Sequence, residues 1–289
     1  MPQIGINPLP WYLTATGIVL TPEVLPDVYR AVRESGFGAV QADIPAGMTV
    51  RDLQSLLGEH ELRAAPGYFS ATFEEPAAEQ ARAHAGQQAA LGSTEVFVAA
   101  APVPARMTVP AAGHDFDAGR LATVIEHLGR ACEAIVAEGL RPCLHPHVGT
   151  WIETEHETRA ALDAIDPALL AFGPDVGHLR WAGMDPAAVI TDYAERVGGV
   201  HLKDVHLAAV GTARERGDDY RTATRVRHVW TEPGHGDIDL AATLAALPED
   251  YDGWFVLEVD VPDRGRDPQS SAVLCRKWAN EHLAAWGQR

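Results

Sequence analysis

Between Leu144 and Glu153 the chain reads LHPHVGTWIE, which sets His145, His147 and Glu153 just behind an apolar run. Titratable groups at the end of a buried strand are costly unless something pairs with them, and a metal ion is one such partner. Other apolar runs end in the same way. LAFGPDVGH delivers Asp175 and then His178, VGGVHLKD carries His201, Lys203 and Asp204, and WFVLEVD ends in Glu258 followed by Asp260. Oxygen and nitrogen donors with no thiolate among them suit a hard or borderline divalent ion. Mn²⁺ is the first expectation, with Co²⁺, Mg²⁺, Fe²⁺ or Zn²⁺ as alternatives.

Each residue also has an ordinary structural reading. An Asp before Gly, as in PDVGH, is a common turn residue. A lone His inside an apolar strand is usually satisfied by a backbone carbonyl. The GHG of Gly234–Gly236 reads by default as a flexible turn, and Trp11 and Trp230 as core or lid packing. Glu258 is harder to dismiss, because a carboxylate closing an apolar run needs a partner. What favours chemistry is the shared position of these groups at successive strand ends.

The elements that must position them alternate strand and helix eight times. The strands are QIGIN, AVQADI, LRAAPGY, EVFVAA, RPCLHPH, LAFGPDVGH, VGGVHLKD and WFVLEVD. Helices are predicted over Pro22 to Glu34, Thr49 to His60, Pro76 to Leu91, Asp117 to Glu138, Glu155 to Ile165, Pro186 to Arg196, Asp239 to Leu247 and Ser270 to Trp286. Thr49 and Asp52 have capping-box spacing, and Asp185 with Pro186 fits an N-cap and first helical position. Eight βα units predict an α/β chain folded as a single (β/α)8 TIM barrel over residues 1–289. The competing doubly wound sheet lacks a GxGxxG after its first strand. The segment from Val205 to Asp239 reads as a long irregular insertion, of the kind that shapes a barrel's pocket.

Bulk composition narrows the partners. With 40 acidic and 23 basic residues the formal charge is −17, which disfavours nucleic acid and anionic membranes. Three scattered cysteines, Cys132, Cys143 and Cys275, suggest neither a disulfide framework nor a thiolate zinc site, and fit a reduced, cytoplasmic setting. The N-terminal stretch lacks a basic n-region and is broken by prolines, so it does not read as a signal peptide.

PDVGH, HLKD, EPGHGDID and LEVD, in that order, resemble the motifs of the xylose-isomerase-like barrels, the sugar phosphate isomerase/epimerase superfamily. HPHVGTWIE and the opening GINPLPW are most similar to its inosose (2-keto-myo-inositol) dehydratase-like branch. The resemblance implies one divalent metal held from strands five to eight, with Asp175, His201 and Glu258 carrying over directly. Many members have Glu on strand five where this chain has His145. Either His145 takes that place or Glu153 folds back to supply the carboxylate, and the HPHxGTxxE pattern favours Glu153. By the same resemblance His147 is the general base. His145, His178 and Lys203 are candidates for a general acid, with Lys203 alternatively pairing with Asp204 or a substrate oxygen. His178, Trp11, Asn7 and His235 are candidate substrate contacts.

The expected chemistry is proton abstraction next to a carbonyl of a keto-sugar or keto-cyclitol. It leads to dehydration or β-elimination, or to isomerisation or epimerisation. A nuclease on the same barrel is disfavoured by the charge, and a degenerate, non-catalytic barrel acting as a binding or partner subunit is the remaining class. Expected partners are a small keto-sugar or cyclitol, neither nucleic acid nor membrane, with a homo-oligomer left open.

Overall fold

The computed structural model of the chain describes residues 3–14 and 17–283. Eight strands form its parallel barrel: β1 Gln3–Ile6, β2 Ala39–Gln41, β3 in two pieces (Arg63–Ala65 and Tyr68–Ala71), β4 Glu95–Ala100, β5 Arg141–Leu144, β6 Ala171–Phe172, β7 Gly199–Leu202 and β8 Trp254–Leu257. The ladder falls into two sheets. One runs β7-β8-β1-β2 and the first piece of β3; the other runs from the second piece of β3 through β4 and β5 to β6. Two isolated parallel bridges, Phe172 with Val197 and Asp175 with His201, join β6 to β7.

The break in β3 falls at Pro66–Gly67. Proline cannot donate to a ladder, and a side chain takes over the missing bonds. Buried Gln88 donates from Nε2 to the Ala42 carbonyl at 2.8 Å and accepts the Gly67 N–H at Oε1 at 3.2 Å. A Cβ on Gly67 would run into that amide, so the position requires glycine.

Outer helices follow the strands: α1 Leu25–Glu34, α2 Val50–Glu59, α3 Ala78–Ala90, α4 Ala118–Ala137, α5 Glu155–Ala164, α6 Pro186–Asp192, α7 Leu240–Ala245 and α8 Pro268–His282. Thr49 and Asp52 form the expected reciprocal capping box, and Asp185 caps α6 with Pro186 in its first turn. The predicted extension of the last helix to Trp286 lies partly outside the described residues. The insertion after β7 is more regular than its composition suggests. It holds helices Leu207–Arg216 and Tyr220–Arg225, and Asp204–Val205 pairs antiparallel with Trp230–Thr231. A short helix, Val176–Trp181, follows β6 directly.

Strand side chains alternate between the outer helical layer and the barrel interior. The interior is a small cluster of Ala39, Ala65, Phe97, Cys143, Ala171, Trp254 and Val256. The three small alanines leave room for the Phe97 ring at the centre. Gly199 and Gly173 are matched to it, since a Cβ on either would lie 2.8 Å or 3.0 Å from the ring. Gly199→Ala is therefore expected to destabilise the protein by about 1–3 kcal/mol through overpacking. The lower urea midpoint should be partly restored when Phe97→Leu is added, a coupling that a double-mutant cycle reads.

Candidate functional site

The same alternation carries four rows of inward residues to the C-terminal mouth: Cys143 and His145; Ala171, Gly173 and Asp175; Gly199, His201 and Lys203; Val256, Glu258 and Asp260. Phe97 forms the floor, edge-on to the His201 ring with centroids 4.3 Å apart. Asp175, His201 and Glu258 each offer a ligand atom within 4.8 Å of the others, as do His145, Asp175 and His178. Asp175 belongs to both groups. His145 stands beside it, Nε2 3.9 Å from Oδ2, and its ring is 4.7 Å from that of His201.

Charge is unevenly matched here. Lys203 is fully buried, with Nζ 2.6 Å from Asp260 and 3.4 Å from Asp175, and paired also with Glu258. Three carboxylates thus surround one ammonium, which leaves two negative charges before any imidazole is protonated. Burial would lower the Lys203 pKa, but Asp175, Asp260 and Glu258 outweigh it and hold the amine well above its ordinary value. Burial pushes Asp175 up, with Lys203 opposing. Glu258 is held well below the carboxylate range, because Lys203 and His201 overcome its burial.

Several polar atoms in this cluster lack a hydrogen-bond partner: Asp175 Oδ2, His201 Nε2 and His145 Nδ1. The His201 Nδ1–H donates to Glu258 Oε2 at 2.6 Å, and Asn7 donates to the same oxygen at 2.8 Å. Asp175 Oδ1 accepts the His178 N–H at 2.9 Å, capping the short helix after β6 and fixing the carboxylate. Buried oxygen and nitrogen atoms without a hydrogen-bond partner, in an acidic cluster of carboxylates and imidazoles, fit a divalent cation.

Behind these donors lie His147 and His178, their rings 3.7 Å apart. The His147 Nδ1–H donates to the Val148 carbonyl at 2.7 Å, which leaves Nε2 as the basic nitrogen. Burial, with Lys203 assisting, lowers its pKa to about 4. Burial likewise takes His145 and His178 well below their ordinary value. His178 Nε2 is 3.1 Å from Lys203 Nζ, and the amine sits over the Trp230 ring.

Glu153 does not join this centre, and the expectation that it supplies the first ligand is corrected. At Gly149 the backbone enters the left-handed region (φ 87°) and turns away from the mouth. Glu153 then accepts the N–H groups of Gly149, Ala111 and Gly113 at 2.7, 3.0 and 2.9 Å, with Arg106 at 3.7 Å. Asp204 is likewise not the partner of Lys203, for it accepts backbone N–H groups of Val205, Gly234, Gly236 and Ile238. That tie points the exposed His235 into an outer cleft beside Trp278 and Lys277, away from the mouth. Trp11 packs against the main core, and Asn7 orients Glu258. Asp260 and Tyr220 were not among the expected site residues. The Tyr220 hydroxyl donates to Asp260 at 2.8 Å, and its ring stacks on Trp181. Reading the insertion as irregular hid Tyr220, whereas Asp260 was visible two residues beyond Glu258 on the same face.

A family described as xylose isomerase-like TIM barrel matches residues 29–278. An inosose dehydratase of Geobacillus kaustophilus (strain HTA426) is 32% identical over 171 residues, 58% of this chain and 55% of that protein. The chain spans about half the length of the curated relatives it matches. Among solved structures, an L-ribulose 3-epimerase superposes with a TM-score of 0.69 at 16% identity, over 100% of this chain and 96% of that one. The IOLI protein with a bound zinc atom gives 0.71 at 11% identity, over 99% and 100%. These likenesses agree on the fold.

Metal analysis of the purified chain should find a divalent ion in near-stoichiometric amount, lost on Asp175→Asn or Glu258→Gln. Glu153→Gln should keep the ion yet lower stability by about 1.5–3 kcal/mol, the scale of hydrogen bonds to a charged group. Metal loss in Glu153→Gln with its fold intact would return that residue to the ligand set.

Proposed function

The chain belongs to the xylose isomerase-like TIM-barrel family, and from that membership we propose that it is a divalent-metal lyase acting on a keto-cyclitol or keto-sugar. In this reading it removes the proton next to a carbonyl and expels the β-hydroxyl as water. The observation that carries it is the convergence of Asp175, His201 and Glu258, with unpartnered donor atoms, beside an imidazole whose Nε2 is basic. We assign Asp175, His201, Glu258 and His145 as the residues that would hold the ion, with Mn²⁺ the first candidate. When bound, the ion supplies Lewis-acid polarisation of a substrate carbonyl.

The rest falls to the chain's own groups. His147 is the base. Its depressed pKa keeps the ring unprotonated at neutral pH, and its bond to Val148 fixes the tautomer that leaves Nε2 to accept the carbon-bound proton. The C–H electron pair forms the new double bond as the β-C–O bond breaks. Lys203, held as an ammonium, donates the proton that the departing hydroxyl takes to become water. Asp260 and Tyr220 provide an acceptor and a donor for ring hydroxyls. Asn7 and His201 fix Glu258, and burial in the barrel mouth strengthens each of these interactions. The relative named inosose dehydratase supports elimination and a cyclitol substrate. Three buried free cysteines support a reducing, cytoplasmic setting, and among the described residues no helix is long and apolar enough to cross a membrane.

The test is to incubate the metal-loaded protein with 2-keto-myo-inositol in D₂O, following absorbance and proton NMR. Loss of water and a rising enone or enediol band are expected. His147→Ala should lower kcat by about 10²–10⁴-fold, the usual share of a general base, while retaining metal. Deuterium uptake without loss of water would assign epimerisation to the same centre. Neither outcome, with the metal bound and related keto-sugars also inert, would end the proposal.

A further inference from the structure

The polar centre opens outward into a cleft of 320 Å³ at the barrel mouth. Its depth is formed by His147, Tyr220 and Asp260, so it is continuous with the centre described above. Its outer walls are largely apolar, with Leu9, Leu13 and Ile18 from the segment after β1 and Pro102 and Met107 from the segment after β4, beside Arg221, Thr224 and Arg225 of the Tyr220 helix. These walls are built into the fold. Arg225 donates to the carbonyls of Leu13 (3.1 Å) and Thr14, tying the strand Leu13–Thr14, which pairs with Gly17–Ile18, to the helix that carries Tyr220.

Of the exposed large apolar side chains among the described residues, Ile18 lines this cleft, whereas Val226 lines a separate one. Among the described residues, five of the seven exposed large apolar side chains (Ile18, Val19, Val109, Phe116 and Val226) lie in segments that follow barrel strands. The other two, Val136 and Val273, are on outer helices. Ile18 is 64% exposed. A bare sugar or cyclitol ring fills the polar end of the cleft alone, whereas an amphipathic ligand fits both halves.

We infer that the substrate is a polyhydroxylated ring bearing an apolar substituent, a glycoside with an aryl aglycone, whose substituent lies between the Leu9–Leu13–Ile18 wall and Met107. The inference rests on the proposed function for the polar end of the cleft and adds a second subsite to it. The ring's hydroxyls reach Asp260, Tyr220 and His147, and the substituent leaves water against the outer walls, the part of binding that scales with apolar area.

A matched pair of unoxidised ligands tests this without turnover: methyl β-D-glucoside and phenyl β-D-glucoside, titrated calorimetrically into the metal-loaded protein. The phenyl compound should bind at least about tenfold more tightly, as burial of one aromatic face allows. Ile18→Asp and Met107→Asp should each reduce that preference to within about threefold while leaving the metal content unchanged. Both positions are at least partly exposed, so the variants should fold. Equal affinity for the two glycosides, no measurable phenyl-glucoside binding at millimolar concentration, or a preference unmoved by either substitution overturns the inference. So does a change in molecular mass on Ile18→Asp with no phenyl preference, which would assign the mouth to a second copy of the chain. Failure of the lyase chemistry reads differently. In that case the phenyl preference persists while neither keto-cyclitol nor the 3-keto form of phenyl glucoside undergoes elimination.

Discussion

Three carboxylates buried around one ammonium set the terms for the mouth of this barrel. Isolated from water, Asp175, Glu258 and Asp260 repel one another strongly, and Lys203 offsets only part of that repulsion. The neighbouring groups are arranged in response. Asn7 and His201 donate to Glu258, Tyr220 donates to Asp260, and a helix N-terminus donates to Asp175. The remaining imbalance of two negative charges is matched in size by a divalent cation, and Asp175 Oδ2 and His201 Nε2 lack hydrogen-bond partners there. The site therefore follows from electrostatic necessity as much as from the identity of any single residue.

The barrel interior shows why so polar a cluster is tolerated. Below the mouth, alanines and glycines make room for the ring of Phe97, which lies beneath the centre and packs edge-on against His201. The layer under the charges is thus buried and apolar, and their geometry is held by packing as well as by hydrogen bonds. A wider or more flexible floor would admit water and weaken every interaction above it.

Much of this was legible in the chain before any coordinates. Eight alternations of strand and helix gave the barrel. Asp175, His201 and Glu258 were legible as polar groups at the ends of successive apolar runs, which put them on one rim of the barrel. Glu153 was misread because its position depends on a glycine turn and on backbone N–H groups of residues 111–113, about forty positions away, and no local pattern encodes that meeting. Tyr220 was missed for a related reason. Its helix lies in a segment rich in Arg, Asp and Thr, with a low apolar content, and it is held in place by Trp181, Asp260 and the hairpin after β1. Strand periodicity is local and readable, whereas loops that fold back over the mouth take their structure from distant partners.

The two-sheet construction of the barrel bears on the centre in a further way. One junction, at the broken third strand, is stitched by the amide of Gln88, and the opposite junction is made by the bridges flanking Pro174, with Lys203 paired to Asp175 across it. His145 and Asp175 stand on one side of that second junction, and His201 and Glu258 on the other. An ion gripped by all four would act as a clasp between two half-shells whose main chains meet there in two isolated bridges. Occupancy and mechanical closure of the barrel would then be one event, and the empty protein would part first along the line between its sixth and seventh strands.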